Sequence, residues 1–535
     1  MRDVFIRCQK GRKMEENKGI QLLKKGQKGI IHALFSRFGI FLVLLLVQVF
    51  ILFGIFQWFE GILPYLLGGH SLFSAVMVVY LINSRTDATA KITWLIVIML
   101  FPVFGALLFW YTKSDIGHRA IQKRLNEIYS QTKGSILQNE KVMDELTMAN
   151  PQIASLSRYI GCTGNFPVYK NTEVTYFPLG EYKWEEMQRQ LKKAKKFIFM
   201  EYFIIDEGLM WGKILEILIQ KAKEGVDVRV MYDGTCEFAL LPHNYPKRLR
   251  ELGIQCKMFS PVTPFMSTHY NYRDHRKILV IDGQTAFNGG VNLADEYINH
   301  IHIFGHWKDT AVMIKGEAVK SFTLMFLQMW NIDKKELQFE QYLNVQADCN
   351  IQTKGFVIPY GDSPLDRYKV GECVYMDILN RAERYVHIMT PYLILDGEIE
   401  TSLKYAAERG VDVKLILPGV PDKTIPYALA RTHYSSLLES GVKIYEYVPG
   451  FVHAKVFVSD DREAVVGTIN LDYRSLYHHF ECATYMFDMD CVNDIENDFQ
   501  TTLEQCREVT ASSFRQEKKH LLLIGYIFKI VAPLM

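Results

Sequence analysis

A sequence pattern that occurs twice constrains this chain more than any other feature. Residues 275–292 read HRKILVIDGQTAFNGGVN, and residues 453–470 read HAKVFVSDDREAVVGTIN. Five positions match at one shift of 178 residues: His275 and His453, Lys277 and Lys455, Asp282 and Asp460, Gly289 and Gly467, Asn292 and Asn470. A single short motif is often a chance match, but two copies with the same tail indicate a duplicated unit.

The duplication extends beyond the motif. A helical pattern followed by a β-rich run occupies residues 184–205 and recurs at 374–395, and GVDV recurs at 225–228 and 410–413. Strands that alternate with helices predict an α/β fold with mixed, largely parallel sheets flanked by helices. Since 535 residues exceed what one core usually organises, we expect two duplicated lobes, at 166–345 and 346–505.

The chain that precedes the lobes is apolar after a basic start. Residues 1–37 form a basic tail, and the apolar runs at about 38–59, 61–82 and 92–112 predict three transmembrane helices, of which the middle one is the weakest and could be re-entrant. A polar connector follows at 113–165, and an amphipathic segment ends the chain at 506–535. That last segment fits either a helix on the membrane surface or a terminal helix packed on its own domain.

Charge and cysteine content bound the location of the catalytic part. The basic tail favours a cytoplasmic N-terminus, although three full crossings would then put the lobes outside. The nine cysteines include no CxxC pair and read as reduced thiols, so we expect a multi-pass protein of the cell membrane with a cytoplasm-facing catalytic part. A net charge of +2 offers no polycation for nucleic acid.

Each motif places a histidine and a lysine two residues apart in a stretch that reads as a strand. Period two puts both side chains on one face. A single histidine on a strand is usually a core residue that satisfies its own hydrogen bonds, but a buried lysine beside it costs free energy unless it is paired. Two such pairs therefore indicate an anionic ligand.

The sequence around both motifs resembles a known family. The similar stretches are NYRDHRKILVIDG, GGVNLADEY, HWKDT, HAKVFVSDD, GTINLDYRS and the FE pair at 480–481. They resemble the phospholipase D superfamily and, within it, the bacterial cardiolipin synthases, from about residue 165 to the end of the chain. The resemblance implies that the two lobes each supply one histidine to a shared active site.

The resemblance also implies a reaction. A phosphatidyl group moves from one phosphatidylglycerol to another, giving cardiolipin and glycerol through a phosphohistidine. His275 is expected to be the nucleophile and His453 the proton donor. Lys277 and Lys455 neutralise the phosphate oxygens. The amides of Asn292 and Asn470 are expected to be additional donors.

Four acidic residues and one further histidine complete the candidate site. A carboxylate is expected to orient each histidine ring, Asp309 for His275 and Glu481 for His453. The motif residues Asp282 and Asp460 count with the catalytic set by resemblance, although their place at strand ends favours a structural turn. The family usually has Asn where His479 stands, so His479 is either a surface or structural substitution or an extra proton carrier.

Other functions share parts of this pattern. A phospholipase D hydrolase or a phosphatidylserine synthase would use the same residues with water or serine as acceptor, whereas a nuclease of this type would need no membrane anchor. A membrane scaffold without activity would be expected to lose one His or Lys. The residues predict no cofactor and no metal site, and they fix neither the acceptor nor the oligomeric state.

Overall fold

The computed structural model describes most of the chain after residue 70. The described residues are 50, 53, 54, 57, 70–84, 87–100, 105–106, 108–110, 116–236, 240–242, 244–261, 272–345, 351–515 and 519–534. The predicted basic tail and nearly all of the first predicted span lie outside them, as does the first part of the second span. Among the described helices, none combines the length and the apolar composition needed to cross a membrane.

Helices precede the first strand in the described part of the chain. They are α1 (His70–Ile82), α2 (Ala88–Leu100), α3 (Ile116–Thr132), α4 (Glu140–Ala149) and α5 (Pro151–Gly164). Asn150 ends α4, and its side chain accepts hydrogen bonds from the backbone N–H groups of Gln152 and Ile153, so it also caps α5. The predicted connector packs on the catalytic part, because Leu125, Leu146 and Ile153 belong to the main core.

The first copy of the repeat forms a seven-stranded sheet in the order β1-β9-β7-β6-β2-β3-β4. The strands of this half are β1 (Glu173–Phe177), β2 (Phe197–Tyr202), β3 (Asp227–Asp233), β4 (Gln255–Phe259), β5 (Arg273–Asp274), β6 (Lys277–Ile281), β7 (Thr285–Gly289), β8 (His306–Lys308) and β9 (Ala311–Lys315). Its helices are α6 (Gly180–Lys193), α7 (Leu209–Lys223), α8 (Tyr245–Glu251), α9 (Val319–Trp330) and α10 (Glu340–Leu343), with a 3₁₀ helix at Asp295–Ile298.

The second copy forms its own sheet in the order β10-β17-β16-β15-β11-β12-β13-β18. The strands are β10 (Phe356–Asp362), β11 (Tyr385–Met389), β12 (Asp412–Pro418), β13 (Lys443–Tyr447), β14 (Gly450–Val452), β15 (Val456–Ser459), β16 (Glu463–Gly467), β17 (His479–Phe487) and β18 (Cys506–Val509). The helices are α11 (Val370–Arg381), α12 (Gly397–Glu408), α13 (Thr424–Glu439), α14 (Cys491–Leu503), α15 (Ala511–Arg515) and α16 (Lys519–Lys529), with a π helix at Arg474–His478 and a 3₁₀ helix at Ala532–Leu534.

Both sheets are mixed, and each has the same strand order apart from the added β18. The predicted α/β fold with mixed sheets is confirmed, but the prediction that they are largely parallel is wrong. Only β2-β3-β4 and β11-β12-β13 pair in parallel, and the other neighbours in each sheet are antiparallel. The parallel strands are joined by helices, whereas the strand after each HxK returns through a tight turn, which makes an antiparallel hairpin.

The tight turns explain the motif aspartates. Asp282 and Gly283 have φ angles of 54° and 67°, and Asp460 and Asp461 have 55° and 59°. Two consecutive residues with positive φ are the central residues of a type I′ turn, for which Asp and Gly are favoured. The turn joins β6 to β7 in the first half and β15 to β16 in the second.

One continuous apolar core joins α3–α5 to both sheets. The C-terminal helix α16 packs against α13. This contact agrees with the prediction of a terminal helix that packs on its own domain. The other face of α16 stays apolar and exposed, with Leu523 61% and Ile527 57% accessible. The exposed face is therefore not part of the protein core.

Candidate active site

Two short strand pairs connect the halves and place the functional residues. β5 of the first half pairs in parallel with β17 of the second, so Asp274 lies opposite Phe480. β14 of the second half pairs in parallel with β8 of the first, so Val452 lies opposite Lys308. The next residue of each strand carries the chemistry. The register therefore sets His275 beside Glu481, and the equivalent pairing sets His453 beside Asp309.

The first of these pairs is His275 with Glu481. His275 Nδ1 lies 2.9 and 3.0 Å from the two carboxylate oxygens of Glu481. The backbone N–H of His275 donates to the Phe480 carbonyl at 3.0 Å, and the ring of Phe203 meets the imidazole edge to face at 5.0 Å between centroids. His275 is buried, with 6% of its surface accessible.

The second pair is His453 with Asp309. His453 Nδ1 lies 2.6 Å from Asp309 Oδ2, and the backbone N–H of His453 donates to the Lys308 carbonyl at 2.7 Å. The rings of Tyr297 and Trp307 lie 5.4 and 5.3 Å from the imidazole. Each histidine is therefore held by the other half of the molecule.

This arrangement corrects the predicted acid pairing. The sequence assigned Asp309 to His275 and Glu481 to His453, because each acid follows its histidine in the same copy. The structure exchanges the partners. The physical reason is that β5 of the first half pairs with β17 of the second, and β14 of the second half pairs with β8 of the first. Each histidine therefore follows a short strand that is paired with the opposite half.

The motif lysines are buried at the same place. Lys277 Nζ donates to the His275 carbonyl at 2.5 Å and lies 5.5 Å from the centre of the Phe203 ring. Lys455 Nζ donates to the His453 carbonyl and lies 2.9 Å from His453 Nδ1. Each lysine therefore shares its site with its own histidine, as the spacing predicted.

Burial dominates the protonation of these groups. It lowers the pKa of Lys277 to about 8, against the opposing charge of Glu481. It lowers the pKa of Lys455 to about 7, against Asp309 and with help from Lys277. The effect of Lys277 on Lys455 shows that the two motifs lie within electrostatic reach of each other. Both lysines therefore hold their protons less tightly in the free site than an exposed lysine does.

The histidines are neutral and the carboxylates are ionised. Burial lowers the pKa of His275 well below its ordinary value and that of His453 to about 4. Burial acts to raise the pKa of Glu481 and of Asp309, but the interactions with neighbouring hydrogen-bond donors, led by His275 for Glu481 and by His453 for Asp309, outweigh it and bring both pKa values below the ordinary range. A neutral imidazole whose Nδ1 faces a carboxylate carries its proton there, which leaves the lone pair on Nε2.

The two motif asparagines have different surroundings. Asn292 Oδ1 accepts from the backbone N–H of Ile204 at 3.1 Å, and its amide donates to the Tyr297 hydroxyl at 2.8 Å. Asn292 thus positions Tyr297, which packs on His453. Asn470 is buried, and its Oδ1 has no hydrogen-bond partner among the described residues. The predicted role as a donor to the substrate remains a prediction for both amides.

The motif aspartates do not belong with the catalytic residues. Asp282 accepts from the backbone N–H groups of residues 195, 196 and 197 at 2.7–2.9 Å, at the start of β2. Asp460 accepts from those of residues 383, 384 and 385 at 2.8–2.9 Å, at the start of β11. Asp282 follows the last residue of β6, whereas Lys277 is the first residue of that strand. Both carboxylates fasten a hairpin turn to a central strand, so their inclusion in the catalytic set is corrected.

His479 is an active-site neighbour, and of the alternatives given for it the surface position is wrong. It is 7% accessible, its ring centroid lies 5.4 Å from that of His275, and its Nδ1 lies 3.6 Å from Glu481 Oε1. His479 is two residues from Glu481 on β17, so period two puts both on one face.

Three further residues were not found from the sequence. Thr468 donates through Oγ1 to Glu481 Oε2, and Phe203 packs on His275. Lys183, fully buried on α6, donates to the Val291 carbonyl at 3.1 Å. Burial lowers its pKa to about 7, and the nearby charge of Lys277 adds to this while Asp309 opposes it. Thr468 stands inside the repeated GTIN tail, which was the available signal, but Lys183 lies outside the matching positions.

Comparisons with known proteins agree with the geometry. A family model described as "Cardiolipin synthase, PLD-like domain" matches residues 187–330 and 375–503, and one described as "Phospholipase_D-nuclease N-terminal" matches residues 72–112. A Streptococcus mutans protein described as uncharacterized is 59% identical over 86% of this chain and 99% of its own length.

Two relatives carry a described activity. Cardiolipin synthase 2 of Bacillus cereus is 33% identical over 87% of this chain and 90% of its own length. The cardiolipin synthase of Alkalihalophilus pseudofirmus is 32% identical over 92% of this chain and 98% of its own.

A solved structure gives the same fold. The phosphatidylserine synthase of Haemophilus influenzae superposes with a TM-score of 0.55 at 14% identity, over 72% of this chain and 100% of that one. Duplicated α/β halves that bring two HxK motifs together define the phospholipase D class of enzymes. Within that class, the chain belongs to the family of bacterial cardiolipin synthases.

Proposed function

We propose that the protein is a phosphatidyltransferase that makes cardiolipin and glycerol from two molecules of phosphatidylglycerol. The observation that carries the proposal is the pair of buried histidines, each with a carboxylate from the opposite half and a lysine from its own motif. The assignment of the lipid rests on the family. The acid–base pairs supply the chemistry.

The buried lysines suit a phosphodiester. Such a substrate is an anion that repels nucleophiles, so cations must offset the charge on its nonbridging oxygens. Lys277 and Lys455 have lowered pKa values because they are buried and, for Lys455, because the other lysine is near. An anionic phosphate bound between them reverses that effect and raises both pKa values. Binding of the phosphate is therefore coupled to uptake of protons by the two lysines.

The first half of the reaction forms a bond between His275 and phosphorus. The Nε2 lone pair of neutral His275 attacks the phosphorus of one phosphatidylglycerol, and the bond from phosphorus to the glycerol oxygen breaks. His453, protonated once the phosphate anion raises its pKa, gives its proton to the departing oxygen, so glycerol leaves neutral. The lipid remains attached to His275 as a phosphohistidine.

The second half reverses these roles. The headgroup hydroxyl of a second phosphatidylglycerol gives its proton to His453 and attacks phosphorus. The bond to His275 breaks, and cardiolipin is released. Glu481 and Asp309 keep each ring in the tautomer that leaves Nε2 reactive and stabilise the imidazolium when it forms.

A membrane location explains why a lipid rather than water would be the acceptor. We infer that residues 38–112 hold the protein in the cell membrane as predicted, with the catalytic part facing the cytoplasm. Exposed apolar side chains on α1, α2 and α16 support this inference, among them Val79, Met99 and Leu523, each more than 60% accessible. Thr93 Oγ1 on α2 donates to the Ile530 carbonyl at 2.7 Å, so these surfaces adjoin. A site at the bilayer concentrates the lipid acceptor.

The test is lipid analysis of the detergent-solubilised full-length protein, with phosphatidylglycerol as the only lipid and free glycerol measured in parallel. Equal amounts of cardiolipin and glycerol are expected. Phosphatidic acid as the main product would make the enzyme a hydrolase. His275→Ala serves as the matched control, since it should form neither product.

A further inference from the structure

His479 is a buried imidazole for which the proposed reaction has no use. It is the first residue of β17, and 7% of its surface is accessible. Neither ring nitrogen has a hydrogen-bond partner among the described residues. Buried polar atoms are nearly always partnered, so this imidazole, beside the reacting histidine, is a candidate ligand for a cation.

The atoms around His479 have the spacing of a metal site. Glu481 Oε1 lies 2.9 Å from His275 Nδ1 and 3.6 Å from His479 Nδ1. His275, His479 and Glu481 each offer one ligand atom within 4.8 Å of the others. Zinc bonds to nitrogen and oxygen of about 2.0–2.2 Å place tetrahedral ligands about 3.3 Å apart. Small side-chain movements would bring all three atoms onto one ion.

The donor set selects the kind of ion. Two imidazole nitrogens and one carboxylate are the ligands of many open zinc sites, in which the fourth position is taken by water or another small ligand. Calcium and magnesium prefer oxygen ligands alone. The charge of Glu481 favours a cation. The positive charge of Lys277, whose ammonium group donates a hydrogen bond to the His275 carbonyl, disfavours a cation.

We propose that His275, His479 and Glu481 bind a divalent transition-metal ion of the zinc type and that this ion inhibits the enzyme. The inhibitory part rests on the proposed function. The ion replaces the proton between His275 Nδ1 and Glu481, and the neutral ring then carries its proton on Nε2, in place of the lone pair that attacks phosphorus. His275 is then unable to act as nucleophile. The site is regulatory and supplies no chemistry to the reaction.

The test is metal binding to the metal-free, full-length protein in detergent. Co²⁺ is added while the visible absorption bands of the bound ion are recorded, and Zn²⁺ affinity is measured by calorimetry. The wild type should bind one ion per chain through this site, and His479→Asn should weaken its affinity by about tenfold or more, as expected for loss of a ligand. His302→Asn, at an exposed loop histidine, is the matched control and should bind as the wild type does.

Activity is the second readout. Zn²⁺ should inhibit cardiolipin formation by the wild type, EDTA should restore it, and His479→Asn should need about tenfold more Zn²⁺ or more. Equal Zn²⁺ and Co²⁺ affinity in the wild type and His479→Asn would overturn the site. If binding depends on His479 while no form makes cardiolipin, the site stands and the proposed function fails. Inhibition that is equal in wild type and His479→Asn would refute the regulatory role.

Discussion

The two histidine environments follow one plan but differ in what surrounds the ring. His453 lies among the aromatic rings of Tyr297, Trp307 and Phe451, and Asp309 is its carboxylate partner. These neighbours restrict the ring on several sides. His453 is thereby placed as a fixed proton carrier.

His275 has a more polar setting. Its partner Glu481 is one methylene longer than Asp309, and Thr468 binds the second carboxylate oxygen. The first half has Gly290 in place of Thr468, and a Cβ there would lie 2.1 Å from Asp309 Oδ1. The shorter acid thus approaches the backbone, whereas the longer one needs a hydroxyl to fix it. Both halves therefore keep the pairing of a histidine with a carboxylate. They differ in the length of the acid and in the residue beside it, Thr468 for Glu481 and Gly290 for Asp309.

Removing either histidine should have the largest effect and should break the apparent symmetry. His275→Ala and His453→Ala are each expected to lower cardiolipin formation by about 10⁴-fold or more. A phosphatidyl ester of p-nitrophenol needs no acid to release its leaving group, so His453→Ala should still give a burst of nitrophenol and His275→Ala should not. A burst only from His275→Ala would assign the nucleophile to His453.

Removing the charge of either carboxylate should have the next largest effect. Glu481→Gln and Asp309→Asn are each expected to lower kcat by about 10²- to 10⁴-fold, because an amide favours the wrong tautomer of the ring. Rates of cardiolipin formation per mole of folded protein provide the measurement. Activity near that of the wild type in either variant would show that the contact is not needed for catalysis.

The pH dependence sharpens the comparison between the lysines. A lysine is charged below its pKa, so Lys455, with a pKa of about 7, should lose its proton before Lys277, with a pKa of about 8. We expect kcat/KM for phosphatidylglycerol in mixed micelles to fall as pH rises from 7 to 9. Lys455→Arg, which stays charged, should flatten the first part of that fall. A kcat/KM that is constant or rising to pH 9 would contradict this account.

The motif aspartates should show the smallest effect, and the same one in both halves. Asp282→Asn and Asp460→Asn each weaken three hydrogen bonds to backbone amides, for a loss of about 1–3 kcal/mol in the free energy of unfolding. The midpoint of thermal unfolding should fall, while kcat per mole of folded protein should stay within about twofold. Asp333→Asn, at an exposed side chain, is the control. A large loss of kcat without a loss of stability would return these residues to the catalytic set.

The repeated motif made much of this site predictable. His275, Lys277, His453 and Lys455 were found because they match at one shift, and the α/β class followed from alternating patterns within each copy. Lys183 was missed for the same reason. It donates to the Val291 carbonyl, whereas in the second half the hydroxyl of Tyr375 donates to the equivalent Ile469 carbonyl. A position at which the two halves carry different residues does not appear as a match between the copies.

The acid partners were not predictable because they depend on contacts between the halves. His275 is 206 residues from Glu481, and His453 is 144 from Asp309. The short pairings of β5 with β17 and of β8 with β14 bring them together, and two- and three-residue strands give no distinct sequence signal. Local periodicity fixes which face a residue occupies. It does not say which half will cover that face.

The most direct test of the crossed arrangement combines variants on the activated ester. With His453 replaced by Ala, Asp309 has lost its partner and only His275 performs the first step. Adding Asp309→Asn should then change the nitrophenol burst rate by less than about threefold, whereas adding Glu481→Gln should lower it by about a hundredfold or more. If Asp309→Asn reduces the burst and Glu481→Gln does not, each histidine is served by the acid of its own half, and the account is wrong.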